Sequence, residues 1–108
     1  MRQECNKLVR DLIPDLIRQS GHDCEVVTLA ETEYRQALRD KLLEEAQEAA
    51  TASADHLTEE LADLLDVIDA LIDSHQIPTE AILLKRDQKR AERGGFAQRL
   101  KLIWTETD

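Results

Sequence analysis

Aromatic residues, glycine and proline are scarce in this chain of 108 residues, which contains one Phe, one Trp, one Tyr, three Gly and two Pro. A β-sandwich or β-barrel would use more aromatic residues in its strands and more Gly and Pro in its tight turns. Hydrophobic residues nevertheless make up 42% of the chain, so the core must be aliphatic, which favours packed helices. This length is typical of one domain, and we predict a single domain over residues 1–108.

Metal-binding cysteine patterns and long apolar runs are also missing. Cys5 and Cys24 form neither a CxxC motif nor a Cys/His cluster, so a structural zinc site is not expected. No apolar run approaches the roughly 20 residues that span a bilayer. The charged N-terminal segment lacks the apolar core of a secretory signal. These absences predict a cytoplasmic protein with reduced thiols and no membrane contact.

Acidic residues outnumber basic residues by 23 to 14, which gives a net charge of −9. This balance argues against binding a nucleic acid polymer through a basic face. It is compatible with binding a single nucleotide through a cation, and it is also an ordinary way of keeping a protein in solution. The total charge therefore says little, whereas the placement of individual acids is informative.

Hydrophobic periodicity predicts an all-α fold with about three main helices and a short N-terminal helix. The short helix falls within residues 6–20, where Pro14 is expected to interrupt or kink it. The main helices are predicted over residues 31–52, 56–74 and 79–92. Residues 24–29 are rich in β-branched side chains and are predicted to be extended or a short strand; residues 96–104 are predicted to be extended or strand-like.

Two acidic motifs lie on neighbouring predicted helices, EEAQE at residues 44–48 and ELAD at residues 60–63. Because a helix advances about 100° per residue, Glu45 and Glu48 share one face of the first helix, and Glu60 and Asp63 share one face of the second. Glu45 and Glu60 each lie in line with the apolar stripe of their own helix. We therefore expect the four carboxylates to converge where the two apolar faces meet.

Four carboxylates that converge between apolar faces would repel one another, and burying ionised carboxylates costs several kcal/mol unless positive charge compensates them. A divalent cation would supply that charge. Ligand sets made only of oxygen favour Mg²⁺ or Mn²⁺ over zinc. The alternative is that these acids are solvated or pair with Lys or Arg of a neighbouring helix. A di-iron bundle would require Glu-x-x-His pairs, which the sequence lacks. Acids off the apolar stripes, like the three histidines, are expected to face solvent; these acids are Glu44, Glu59, Asp66, Asp69 and Asp73.

Two basic clusters are candidates for binding phosphate. Lys85, Lys89 and Arg93 recur at helical spacing on the third main helix, and Lys7 and Arg10 lie close together near the N-terminus. The alternative for both clusters is a set of solvated charges that pair with nearby acids.

The acidic motifs resemble the E-E-x-x-E and E-x-x-D pattern of the all-α nucleotide pyrophosphohydrolases, a group that includes the MazG proteins and the phosphoribosyl-ATP pyrophosphohydrolases. The spacer between the two motifs is slightly shorter than in the family pattern. NKLVRDLIP at residues 6–14 and RGGF at residues 93–96 resemble the flanking segments of one small branch, described as phosphoribosyl-ATP pyrophosphohydrolase-like. Together these resemblances span nearly the whole chain.

The resemblance implies an enzyme that cleaves nucleoside triphosphates between the α and β phosphates, giving a nucleoside monophosphate and pyrophosphate. It implies Mg²⁺ ligands at Glu45, Glu48, Glu60 and Asp63, with Mn²⁺ as a substitute. Glu44 or Glu48 is the candidate base that would accept a proton from the attacking water, and Lys or Arg side chains would hold the phosphates.

The resemblance also implies a homodimer or a dimer of dimers that completes the helical bundle. Broad apolar helix faces in so short a chain favour the same expectation independently. Two alternative functions stay open: action on phosphoribosyl-ATP itself, and a non-catalytic helical interaction module on the same fold.

Overall fold

The computed structural model describes all 108 residues and contains four α-helices and no strand. The helices are α1 (Ile13–Gln19), α2 (Glu31–Thr51), α3 (Leu57–Ser74) and α4 (Thr79–Arg93). This is the all-α fold that the periodicity predicts, with three long helices after a short one. The chain divides into two compact units, Met1–Gln76 and Ile77–Asp108.

The short helix α1 begins one residue before Pro14 rather than being interrupted by it. Proline is tolerated there because the first N–H groups of a helix have no acceptor within the helix. The helix ends at Gln19, and Gly21, two residues later, has a φ of 89° in the left-handed region that favours glycine. The N–H of Gly21 donates to the carbonyl of Arg18 at 3.0 Å. The predicted kink is therefore replaced by a helix start.

Helices α2 and α3 form an antiparallel pair within the first unit. Near the start of α2, the guanidinium of Arg35 donates two hydrogen bonds, of 2.6 and 3.2 Å, to the carbonyl of Ser74 at the end of α3. Residues 52–56 connect the two helices. Leu38 of α2 and Val67 of α3 are the buried apolar residues of the chain, so the core lies between these helices.

Neither segment with strand-like composition forms a strand. Residues 24–29 have no regular structure, and residues 96–99 form a turn in which the Arg99 N–H donates to the Phe96 carbonyl at 3.1 Å. The strand alternative for these segments was therefore wrong.

The second unit contains α4, the two residues before it and the residues that follow it. The helix begins directly after Pro78, and its end is marked by Gly94, whose φ is 83° and whose N–H donates to the Arg90 carbonyl at 2.9 Å. No residue of α4 is buried. None of the four helices is both long enough and apolar enough to cross a membrane.

Many large apolar side chains of the first unit are exposed. They occur at the N-terminus of α1 and along it, on the segment that follows it, on α2 and on α3, and include Leu12, Leu16, Val26, Val27, Leu43, Leu57, Leu61 and Leu65. A core of two buried apolar residues is small for a chain of this length.

Candidate metal centre

The end of α2 and the start of α3 bring three carboxylates together. Glu45, Glu60 and Asp63 each offer one oxygen, and these oxygens all lie within 4.8 Å of one another. The antiparallel pairing of the helices places Glu45 opposite the first turns of α3. The three-residue spacing of Glu60 and Asp63 then directs both side chains to the same side of α3.

Glu45 is the most constrained of the three acids. It is 6% exposed and is the only buried charged residue. Its Oε1 lies 3.4 Å from the Nζ of Lys41, one turn earlier on α2, but its Oε2 is buried and accepts no hydrogen bond. Glu60 is half-buried, and its Oε2 also lacks a partner. Buried acceptors without donors are rare in proteins, so these two oxygens are free to accept a proton, a hydrogen bond or a cation.

Burial raises the pKa of the Glu45 carboxyl, and the nearby charge of Glu48 raises this pKa further. Lys41 opposes both effects, but it does not outweigh them. The raised pKa of Glu45 therefore reflects its burial, which the charge of Lys41 alone does not offset.

Glu48 is exposed and does not join the group of three oxygens, although it lies close enough to act on Glu45. At three residues from Glu45 it is turned about 60° around α2, towards solvent. The structure thus brings together three of the four predicted ligands and places the fourth at the edge of the group.

Glu44 is half-buried and ion-paired. Burial raises its pKa, but the hydrogen bond from Lys7 and the charge of Lys41 outweigh burial, so the pKa of Glu44 is lowered overall. The Glu44 carboxylate lies 3.3 Å from the Nζ of Lys7 and 3.5 Å from the Nζ of Lys41. Glu44 is therefore a poor proton acceptor and not the solvated residue that its position off the stripe predicted.

The N-terminal basic residues lie at the acidic cluster. Arg10 donates from Nη2 to Asp63 Oδ1 at 2.9 Å and from Nη1 to Asp66 Oδ2 at 2.7 Å. Lys7 lies in a small cleft between residues 6–8 and the face of α2 that carries Lys41. Asp66 is exposed, as expected from the sequence, but its pairing with Arg10 was not predicted, nor was the contribution of Lys41. Lys41 precedes Glu45 by four residues, a spacing that could have identified it.

The basic residues of the second unit form a separate group. Lys89 and Arg93 line an open groove together with Arg86, Arg90 and residues 94–96, whereas Lys85 does not line it. The basic side chains of this groove lie within the last two turns of α4, and positive charge there also stabilises the negative end of the helix dipole.

The donor set fits a small divalent cation. It offers oxygen ligands only, which suits Mg²⁺ or Mn²⁺, and two of its buried oxygens have no hydrogen-bond partner. A cation bound between Glu45, Glu60 and Asp63 would supply the missing positive charge.

No family model, curated protein or solved structure matches the chain. A functional assignment must therefore come from the chemistry of the carboxylate cluster and of the charges around it.

Proposed function

We propose that this protein is a Mg²⁺-dependent nucleotide pyrophosphohydrolase, which cleaves nucleoside triphosphates between the α and β phosphates. The observation that carries the proposal is the cluster of Glu45, Glu60 and Asp63, with two buried oxygens that lack partners. The order of the acidic motifs and their flanking segments, which resembles the MazG-like enzymes, supports the same reaction class.

In this proposal, Glu45, Glu60 and Asp63 hold the cation, with Glu48 at the edge of the ligand set. Bound Mg²⁺ would neutralise phosphate charge and lower the pKa of the attacking water. The oxygen of this water would form a bond to the phosphorus that is attacked, and the bond from that phosphorus to the oxygen bridging the α and β phosphates would break. A proton of the water would pass to a carboxylate. The products are a nucleoside monophosphate and pyrophosphate.

Glu48 is the better candidate for the carboxylate that accepts this proton. Glu44 is paired with Lys7 and Lys41, and its pKa is lowered, so protonating it would break two ion pairs. Glu48 is exposed and forms no ion pair. It is also close enough to Glu45 to perturb its pKa, and thus lies next to the proposed cation.

Basic side chains would hold the phosphates of the substrate. Lys7 and Arg10 are proposed for this role because both contact acids at or beside the cluster. Lys85, Lys89 and Arg93 of α4 are proposed to bind phosphate as well. The groove that contains Lys89 and Arg93 supports this role for those two residues more strongly than for Lys85.

The active form is proposed to be a homodimer or a dimer of dimers in the cytoplasm. Leu57, Leu61 and Leu65 form a stripe along α3, and their exposed fractions are 38%, 44% and 59%. A second helical pair packed on this stripe would give a four-helix bundle with a larger apolar core. The two free cysteines fit a reducing compartment.

Pyrophosphate release tests the reaction. The panel consists of ribo- and deoxyribonucleoside triphosphates and phosphoribosyl-ATP, each assayed with Mg²⁺ and with EDTA. We expect release from one or a few nucleotides, in Mg²⁺ only, and its loss in Glu45→Gln and Glu60→Gln. Glu59→Gln removes an exposed acid next to Glu60 on α3 and should retain activity.

The assay also separates the two alternative functions. Release from phosphoribosyl-ATP alone would assign that substrate. No release from any nucleotide, together with no Mg²⁺ binding by calorimetry, would overturn the proposal in favour of a non-catalytic interaction module.

A further inference from the structure

Arg10 bridges two carboxylates that lie one turn apart on α3. Its Nη2 is 2.9 Å from Asp63 Oδ1, and its Nη1 is 2.7 Å from Asp66 Oδ2. Asp63 belongs to the proposed metal centre, whereas Asp66 does not. The same guanidinium is thus anchored once inside the cluster and once outside it.

We propose that Asp66 is a positioning residue, which keeps Arg10 beside the metal centre. An N–H group of Arg10 that donates to Asp63 can then donate to a phosphate oxygen of the substrate instead. The inference rests on the proposed function. It assigns a role to an exposed acid that the helical pattern places away from the apolar stripe.

The argument begins with the charge on Asp63. A carboxylate that contacts both a divalent cation and a guanidinium attracts each less strongly, because the two positive charges repel each other. Arg10 and a cation therefore compete for Asp63. The contact with Asp66 involves no cluster residue, so a cation bound at the cluster does not compete with Arg10 for Asp66.

The chemistry of arginine suits this exchange. The guanidinium has five N–H donors in a fixed plane, so one edge can stay on Asp66 while another donates to a phosphate oxygen. A lysine has a single ammonium and could not span the two sites in the same way.

The exchange requires only a small movement of an exposed side chain. Residues 1–10 form no helix, and Arg10 and Lys7 are exposed side chains that form ion pairs with acids of α3 and α2. The Arg10 guanidinium is therefore within reach of substrate phosphates from the solvent side.

Two measurements test the role of Arg10, and Arg10→Gln is expected to strengthen Mg²⁺ binding but to weaken the interaction with the nucleotide. Mg²⁺ affinity without nucleotide is measured by calorimetry, and KM and kcat are measured by pyrophosphate release. Arg10→Gln removes the competitor for Asp63, so we expect Mg²⁺ to bind about threefold more tightly, while KM for the nucleotide rises about tenfold. Arg39→Gln, which removes an exposed and unpaired positive charge on α2, controls for net charge and should change both values less.

The role of Asp66 is tested by a double-mutant cycle. Asp66→Asn should raise KM about two- to fivefold and leave kcat unchanged. Asp69→Asn removes the same charge from another exposed position of α3 and should not raise KM. In the Arg10→Gln background, Asp66→Asn should add nothing to the change in KM, since the residue it positions is gone. Arg10→Lys should raise KM almost as much as Arg10→Gln.

Weaker Mg²⁺ binding by Arg10→Gln, or additive effects of Arg10→Gln and Asp66→Asn on KM, would overturn the inference. If the wild-type protein releases no pyrophosphate, the proposed hydrolase function fails separately. The cycle is then measured on the calorimetric affinity of the Mg²⁺-loaded protein for inorganic pyrophosphate, where the same pattern supports the inference and additivity overturns it.

Discussion

Lys41 and Glu45 lie one helical turn apart on α2, and the Nζ of Lys41 is 3.4 Å from only one of the two Glu45 oxygens. The other oxygen is buried and unpartnered. Lys41 also pairs with Glu44 at 3.5 Å, so a single ammonium is shared between two carboxylates. This sharing explains why Lys41 does not offset the burial of Glu45, and why the pKa of Glu45 stays raised.

Replacing Glu45 should stabilise the metal-free protein. Because burial raises the pKa of Glu45, the folded protein keeps this proton to higher pH than the unfolded chain does. Stability from this group is therefore complete below the ordinary carboxyl pKa and is lost as pH rises through the raised value. In EDTA at neutral pH, Glu45→Gln should raise the free energy of unfolding by about 1 kcal/mol.

Thermal unfolding in EDTA as a function of pH checks this prediction. The wild-type Tm should fall across the pH range in which Glu45 ionises, and Glu45→Gln should remove that part of the decrease. Glu59→Gln, an exposed acid on α3, should follow the wild-type curve. A Glu45→Gln profile parallel to that of the wild type would contradict the prediction.

Mg²⁺ should stabilise the fold through the same cluster. A ligand that binds only the folded state adds about 2.7 kcal/mol at 100 times its Kd, which raises Tm by about 10 °C or more in a domain of this size. Glu60→Gln should abolish most of this increase, because Glu60 offers one of the two unpartnered oxygens. The measurement is Tm against Mg²⁺ concentration, and an equal increase in Glu60→Gln would place the cation elsewhere.

The sequence predicted the parts of this molecule that depend on local periodicity. The bounds of α2, α3 and α4 agree with the expected ranges to within about one residue. The apolar residues of α3 and α4 recur at helical spacing, and Pro78 and Gly94 mark the two ends of α4. The burial of Glu45 was predictable from its position, because it lies about two turns after Leu38 on the same side of α2.

Long-range ion pairs were not predictable in this way. Arg10 and Asp66 are 56 residues apart, and no local pattern links them. The burial of Glu44 and its pairing with Lys7 depend in the same way on where the N-terminal segment lies. The strand alternative for residues 24–29 was wrong because β-branched composition does not supply the second strand that a ladder requires.

Self-association should depend on the leucine stripe of α3. Replacing both Leu61 and Leu65 by Gln should convert the proposed dimer to a monomer, since these side chains are 44% and 59% exposed in one copy and would be buried by a second. Size-exclusion chromatography with light scattering measures the mass. Glu59→Gln changes the opposite side of the same helix and should leave the mass unchanged. A wild-type protein that is monomeric at micromolar concentration would contradict the prediction.

The choice of base can be decided by comparing Glu48→Gln with Glu44→Gln. Glu48 is exposed and unpaired beside Glu45, whereas Glu44 is held ionised by Lys7 and Lys41. Glu48→Gln should therefore lower kcat about 100-fold and change Mg²⁺ affinity much less than Glu60→Gln does. Glu44→Gln should lower kcat less. If Glu48→Gln instead abolishes Mg²⁺ binding, Glu48 is a fourth ligand, and the proton must pass to another group.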